Sequence, residues 1–276
     1  MDVITGPFDS FTARLPADPP TPVVVSVPHA GTATAGFEDA LAPDLDVRLD
    51  ADLFVDELYE GAPRGAFIRA HLSRFVCDLN RHPDDVSARA VPAHPAPRNG
   101  NGRGFIWEVT THDRPALRRP LNLDEWEQRR QIHAGYYGAL AAAIARAQSK
   151  FGFALLVDGH SMPSQGRAGH IDTGTVRADI VPGDRCGQSC GQGLSHAVHA
   201  HFADEGYSVR FNEPYQGGFI TAHHGRPAKQ VHAIQIEMRR DLYMDEISYT
   251  KTEPGWSRLR SCLARLLARL DEFAPE

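Results

Sequence analysis

Cysteine is scarce in this chain, with four residues in 276. A small fold held together by disulfides needs many more cysteines for its length, so that class of protein is excluded. Cys186 and Cys190 are close enough in sequence to share a metal ion, but the second pair of a zinc finger is lacking. The spacing therefore favours ordinary thiols in a loop over a structural zinc site.

Long hydrophobic runs and excess positive charge are also lacking. No stretch approaches the roughly 18 apolar residues of a membrane-spanning helix, and the first residues carry neither the basic nor the apolar segment of a secretory signal. A net charge of −6 argues against a nucleic acid or an anionic membrane as partner. We expect a cytoplasmic protein that acts on a small molecule. The composition indicates no particular oligomeric state.

The remaining composition is that of a globular protein, with 42% hydrophobic and 23% charged residues. The length suffices for one large core, and we expect a single domain over residues 1–276. Apolar strand patterns alternate with helical patterns, which predicts an α/β layered fold. The predicted strands cover residues 23–27, 66–70, 75–79, 153–157, 207–212 and 231–240, and the predicted helices cover 53–59, 123–152, 191–206 and 256–273. A proline-rich stretch, residues 82–104, is predicted to be a long loop.

Two of these strands end in a turn that carries a histidine. His29 follows the apolar strand 23–27, and His160 follows the strand in "FALLVDGHS". Catalytic zinc takes three protein ligands, and neutral imidazole is its commonest one. Asp52 and Asp56, one helical turn apart, could each supply a third, carboxylate ligand. The alternative, histidines bonded to the backbone of their own turns, stays open from the residues alone.

A second group of polar residues has the chemistry of substrate binding and proton transfer. In "RFVCDLNR", Asn80 and Arg81 could hold a carboxylate, or Arg81 could pair with an acid of the following turn. Glu237 lies on a predicted strand, where it could act as a general base or line a polar sheet face. Ser161 could be a nucleophile, but the chain lacks the G-x-S-x-G turn of serine hydrolases.

Together, the motifs "VSVPHAGT", "DADLFVDELY", "SRFVCDLNR", "VDGHS", "PYQGGFITAHHGRP" and "QIEMRRDLYMDE" resemble the N-formylglutamate amidohydrolase family. The similarity covers residues 20–250 in the same order. It implies the three-layer sandwich with a mixed central sheet found in the related zinc carboxypeptidases. The implied activity is zinc-dependent hydrolysis of an N-acyl acidic amino acid, with N-formyl-L-glutamate favoured over other N-acyl substrates or small peptides.

The resemblance also implies a role for individual residues. It assigns one Zn²⁺ per chain to His29, Asp52 and His160. Thr32 occupies the position of the relatives' acidic ligand, so the resemblance takes the carboxylate from the D-x-D stretch at Asp52, with Asp56 as the reserve. Glu237 becomes general base and acid, and Arg74 polarises the scissile carbonyl. The implied substrate-binding residues are Asn80, Arg81, His223 and Arg239, with Arg98 or Arg103 of the proline-rich loop as a further contact.

Overall fold

The computed structural model describes residues 1–34, 36–62, 64–98 and 100–275. Its strands are β1 (Asp2–Thr5), β2 (Phe11–Leu15), β3 (Val23–Val27), β4 (Ala66–Ala70), β5 (Ala154–Met162), β6 (Ile180–Gly183), β7 (Val231–Arg239), β8 (Met244–Asp245) and β9 (Thr250–Lys251). Its α-helices are α1 (Val55–Tyr59), α2 (Leu123–Phe151), α3 (Gln192–Asp204), α4 (Phe219–His224) and α5 (Gly255–Asp271). Within this part of the chain, no helix is both long enough and apolar enough to cross a membrane.

A seven-stranded mixed sheet organises the molecule, in the order β1-β2-β4-β3-β5-β7-β6. The four central strands are parallel, whereas β1, β2 and β6 run antiparallel to their neighbours. The predicted mixed α/β fold is therefore confirmed. The finer likeness to zinc carboxypeptidases stays a prediction. Since the central strands are parallel, their carboxyl ends meet at one edge of the sheet, where such folds place their sites.

Helices cover both faces of this sheet. Val24 and Leu156 point towards α2, while Val23, Val25 and Leu155 point towards α3 and α5. This alternation explains why β3 carries no charged residue, since both of its faces are buried. The long helix α2 begins with a capping box between Asn122 and Glu125, in agreement with its predicted start.

Several strand predictions are wrong in instructive ways. Residues 75–79 are buried but lie in turns and irregular backbone, so their apolar character reflects burial and not strand pairing. Of residues 207–212, only Val209 bridges to a strand residue, Ile180. His160 lies inside β5, which continues to Met162, and not in a turn after it. The strands β1, β2 and β6 are not predicted at all.

The side of the core beneath α2 supports the sheet and can be tested by truncation. Leu140 on α2 is fully buried, so Leu140→Ala should lower the free energy of unfolding by about 2 to 5 kcal/mol through lost burial and a cavity. Gln128→Ala, on the exposed side of the same helix, should change it by about 0.5 kcal/mol or less. Denaturant unfolding measures both variants, and equal losses would contradict this assignment of faces.

Candidate active site

A polar cavity of about 390 Å³ opens at the carboxyl-end edge of the parallel strands. Each wall comes from a different segment: His29 follows β3, His160 lies near the end of β5, and Glu237 lies near the end of β7. Asp52 comes from the irregular segment just before α1. The sheet thus gathers residues that are far apart in sequence, as the strand-end argument predicts.

Three of these side chains converge on one point. The Asp52 Oδ2 atom lies 3.0 Å from His160 Nδ1 and 3.6 Å from His29 Nδ1. One donor atom from each of the three residues lies within 4.8 Å of the others, and all three side chains are buried. Asp56 is not part of this group, because its carboxylate pairs with Arg69 at 3.0 Å.

Buried carboxylates fix the orientation of both imidazoles through their Nε2 atoms, on the side of each ring that faces away from Asp52. His29 Nε2 lies 2.7 Å from Asp78 Oδ1, and His160 Nε2 lies 3.0 Å from Asp158 Oδ2. An ionised carboxylate only accepts hydrogen bonds, so each Nε2 carries the hydrogen. In the neutral rings, the Nδ1 lone pairs then point towards Asp52, which is the orientation that metal-binding histidines adopt.

Arginines hold the segment that carries Asp52. Arg240 Nη2 donates to Asp52 Oδ1 at 3.0 Å, which leaves Oδ2 free to face the imidazoles. Arg167 donates to the Leu49 carbonyl at 2.6 Å and to Asp50 Oδ1 at 3.1 Å. The segment has no regular secondary structure of its own at Asp52. Its position therefore depends on these contacts from distant parts of the chain.

The donor set fits a divalent cation. Among the described residues, His29 Nδ1 is a buried nitrogen without a hydrogen-bond partner, and it points into the group. Burial alone would raise the pKa of Asp52, but the neighbouring His160 and His29 rings hold it well below its ordinary value. Burial would likewise lower the pKa of His160, yet Asp158 and Asp52 raise it well above the usual range. The group thus combines two imidazoles with negative charge, and it could bind a metal ion.

Glu237 is placed beside this group by strand pairing. It lies opposite His160 in the β5–β7 register and lines the same cavity. Gln235 Nε2 donates to its Oε1 at 2.9 Å. Burial raises the pKa of Glu237, His160 opposes that rise, and the negative charge of Asp52 adds to it. A carboxyl group with a raised pKa beside a candidate metal group is suited to proton transfer.

Arg74 also reaches the cavity and is held firmly there. Its Nη2 donates to Asp78 Oδ2 at 2.7 Å, and its guanidinium lies over the Trp107 ring, 4.5 Å from the centroid. The Trp107 indole donates to the same Asp78 oxygen at 3.0 Å. Burial would raise the pKa of Asp78, but Arg74 and His29 hold it well below its ordinary value. One buried carboxylate therefore orients both an imidazole and an arginine.

Asn80 and Arg81 both line the cavity, as expected for residues that contact a ligand. Asn80 Nδ2 lies 3.2 Å from His160 Nε2 and donates to Gln235 Oε1 at 3.2 Å. Its Oδ1 accepts from the Ile220 backbone. Within the described ranges, no ion pair involves the Arg81 guanidinium, and the alternative pairing of Arg81 with Asp84 is not found.

Two residues with an expected substrate role lie elsewhere. His223 is exposed on α4 against Tyr137 and Phe219 and does not line the cavity. Arg239 pairs with Asp179 at 3.1 Å and with Asp241 at 2.7 Å, outside the cavity. Its neighbour Arg240 lines the cavity instead, because β7 ends at Arg239 and a 3₁₀ turn begins at Arg240. The signal available in the sequence was the arginine pair at the end of a predicted strand.

Ser161 and the cysteines do not form the alternative sites considered above. Ser161 Oγ accepts from Arg240 Nε at 3.1 Å, and arginine cannot serve as its base. Cys186 is exposed, whereas Cys190 is buried against Ser195. Sequence reasoning also gave no role to Trp107 or to Tyr215, which line the cavity. Tyr215 lies in the motif "PYQGGFITAHHGRP", and that motif was its available signal.

Two imidazoles, a carboxylate and a separate glutamate around one cavity are the components of a metal-assisted hydrolase site. The family model of N-formylglutamate amidohydrolase matches residues 21–244. N-formylglutamate deformylase of Pseudomonas aeruginosa is 34% identical over 232 residues, which are 82% of this chain and 83% of that protein. The enzyme of the same name from Pseudomonas putida is 32% identical over 240 residues, 84% of each chain. The chain belongs to the N-formylglutamate amidohydrolase family.

Solved structures agree with this assignment. The crystal structure of N-formylglutamate amidohydrolase from Ralstonia eutropha superimposes with a TM-score of 0.87 at 32% identity, covering 95% of this chain and 97% of that one. A gene product of Agrobacterium tumefaciens has a TM-score of 0.64 at 19% identity over 95% of this chain and 94% of its own. The match to the Agrobacterium protein shows only that the two proteins share a fold.

The choice between the two aspartates as metal ligand can be tested directly. Asp52→Ala removes the atom on which both imidazoles converge and should abolish stoichiometric metal binding. Asp56→Ala removes only a partner of Arg69 and should leave metal content unchanged. Elemental analysis after dialysis measures both, and metal retained by Asp52→Ala but lost from Asp56→Ala would reverse the assignment.

Proposed function

We propose that this protein is a zinc-dependent hydrolase that converts N-formyl-L-glutamate to formate and L-glutamate. The observation that carries the proposal is the buried group of His29, Asp52 and His160 beside Glu237, in a cavity lined by arginines. The names of the two Pseudomonas relatives, which align over most of the chain, support the substrate.

The positive charge of the arginines in the cavity complements the negative charge of such a substrate. N-formylglutamate carries two carboxylates at neutral pH, and arginine binds carboxylates through paired hydrogen bonds. Four arginines line the cavity: Arg74, Arg81, Arg103 and Arg240. Arg74 and Arg240 are engaged by Asp78 and Asp52. Arg103 donates to the Gly169 carbonyl at 2.6 Å and pairs with Asp113 at 3.4 Å. This leaves Arg81, next to Asn80, to hold a substrate carboxylate.

The metal ion would be held by His29 Nδ1, His160 Nδ1 and Asp52 Oδ2. Zinc suits two imidazoles and one carboxylate, and when bound it lowers the pKa of a coordinated water and polarises the substrate carbonyl. The hydrogen bonds from Nε2 to Asp78 and Asp158 keep both imidazoles in the tautomer that this role requires.

Glu237 would act first as the general base and then as the general acid of the reaction. As a carboxylate it accepts a proton from the attacking water, and as an acid it returns that proton to the departing amide nitrogen. Its raised pKa makes the carboxylate a stronger base towards the water, and a pKa nearer neutrality allows both protonation states to be populated during turnover. Gln235 restricts its carboxylate to one orientation.

Arg74 would stabilise the negative charge that forms on the carbonyl oxygen during attack. Asp78 and the Trp107 ring fix its guanidinium before substrate arrives, so little reorganisation is needed. Preorganised donors of this kind typically contribute about 3 to 4 kcal/mol to the transition state.

The role of Glu237 predicts a separation of metal binding from turnover. Glu237→Gln preserves shape but cannot accept a proton, so kcat should fall by about 10²- to 10⁴-fold while metal content stays at the wild-type level. Formate release from N-formyl-L-glutamate, measured beside elemental analysis, tests both statements. Glu127→Gln on the exposed surface of α2 is the control and should leave both unchanged.

The wild-type enzyme should also distinguish acyl groups. Formate release from N-formyl-L-glutamate should exceed release of acetate or succinate from the N-acetyl and N-succinyl analogues. A preference for either analogue would contradict the proposed substrate, and activity that survives complete removal of metal would contradict the proposed mechanism.

A further inference from the structure

A second cavity of about 480 Å³ lies next to the first and has no role in the mechanism above. The two cavities share four lining residues, Asn80, Arg81, Gly217 and Gly218. Asn80 is also in contact with His160, so the second cavity begins one residue away from the candidate metal group.

Glycines make this shared wall thin. A Cβ atom at Gly218 would lie 2.3 Å from Asn80 Nδ2, and one at Gly217 would lie 3.2 Å from the Arg185 Cγ atom. Gly217 also has φ of +108°, a conformation that side chains disfavour. Asn80 can therefore approach Gly218 only because that residue carries no side chain, and Arg185 packs closely against Gly217.

The second cavity is cationic. Three arginines line it, Arg81, Arg98 and Arg185, against a single acid, Asp85. Arg98 lies 3.9 Å from Asp84, whereas the ion pairs found among the described residues include neither the Arg81 nor the Arg185 guanidinium. The only hydrogen bond found for the Arg185 guanidinium within these ranges is a long one, 3.4 Å, to the Gly217 carbonyl.

The acid that precedes Arg185 does not neutralise it. Asp184 Oδ2 accepts from Ser195 Oγ at 2.7 Å, and its Oδ1 accepts from Asn212 Nδ2 at 2.8 Å. The Arg185 backbone itself is held by a hydrogen bond from its N–H to the Gln216 carbonyl at 2.7 Å. A half-buried arginine with a fixed backbone and no carboxylate partner is prepared for an anionic ligand.

We infer that Arg185 binds the side-chain carboxylate of the amino-acid substrate and thereby selects for acidic N-acyl amino acids. This inference rests on the proposed function. Arg81 lines both cavities and would hold the α-carboxylate at the wall, and Arg185 would receive the second carboxylate beyond it. Five bonds separate the formyl carbon from the γ-carboxylate carbon, a reach of roughly 6 Å from the reacting carbon towards the residues that both cavities share.

The test compares two substrates that differ only in this charge, N-formyl-L-glutamate and N-formyl-L-glutamine. Arg185→Gln should lower kcat/KM for the glutamate substrate by about 10- to 100-fold, mainly through KM, because a charge-assisted hydrogen bond is lost. It should change kcat/KM for the glutamine substrate by about threefold or less. The Arg185→Gln variant would then have similar kcat/KM values for the two substrates, whereas the wild-type enzyme should prefer N-formyl-L-glutamate.

The control is Arg210→Gln, which removes the same charge from an exposed arginine that pairs with Glu213 and lines neither cavity. This variant should have the wild-type kcat/KM for both substrates. If Arg185→Gln fails to fold, Arg185→Lys replaces it. That variant keeps the positive charge but cannot form two parallel hydrogen bonds to a carboxylate. Its kcat/KM for N-formyl-L-glutamate should therefore fall by about three- to tenfold, with kcat/KM for N-formyl-L-glutamine unchanged.

The outcomes separate this inference from the function on which it rests. No hydrolysis of either substrate by the wild-type enzyme would refute the proposed function. With an active wild-type enzyme, an equal loss on both substrates would place Arg185 at the α-carboxylate or in a structural role and would overturn the inference. Unchanged kinetics would overturn it as well.

Discussion

The convergence of two imidazoles on a single carboxylate oxygen is the constraint on which the rest of the site depends. Asp52 Oδ2 faces His29 and His160, and hydrogen bonds to all three side chains hold this arrangement. Asp78 and Asp158 hold the imidazoles from behind, and Arg240 occupies the other oxygen of Asp52. These buried charges are stable because each carboxylate is opposed by a hydrogen-bonded cation or ring nitrogen.

The parallel centre of the sheet is what makes this convergence possible. β3, β5 and β7 are adjacent and end at the same edge, so His29, His160 and Glu237 arrive together although 208 positions of sequence separate the first from the last. Both sheet faces are covered by helices, which leaves this edge as the place where polar side chains can gather without disturbing the core.

Sequence reasoning recovers the parts of the molecule that have a local signal. The strand before His29, the helix α2 and the strand that carries Glu237 follow from periodicity and capping, and the resemblance to a family selects Asp52 over Asp56. Other parts depend on the tertiary structure. Residues 75–79 have the apolar content of a strand but turn to place Asp78, and the change from strand to 3₁₀ turn puts Arg240, not Arg239, in the cavity. Arg185 lies in a loop at φ of +55°, where no pattern identifies it.

The contacts around the Leu49–Asp52 segment have a consequence for biogenesis. The carboxylate that completes the candidate metal group is fixed by Arg240, which follows it by 188 positions and emerges from the ribosome long after it. A nascent chain that has made only β3 and β5 holds both histidines, yet it lacks the partner that steadies the third donor. The three donors and the contact that fixes the carboxylate are therefore all present only once the last strand of the central sheet, β7, has been made.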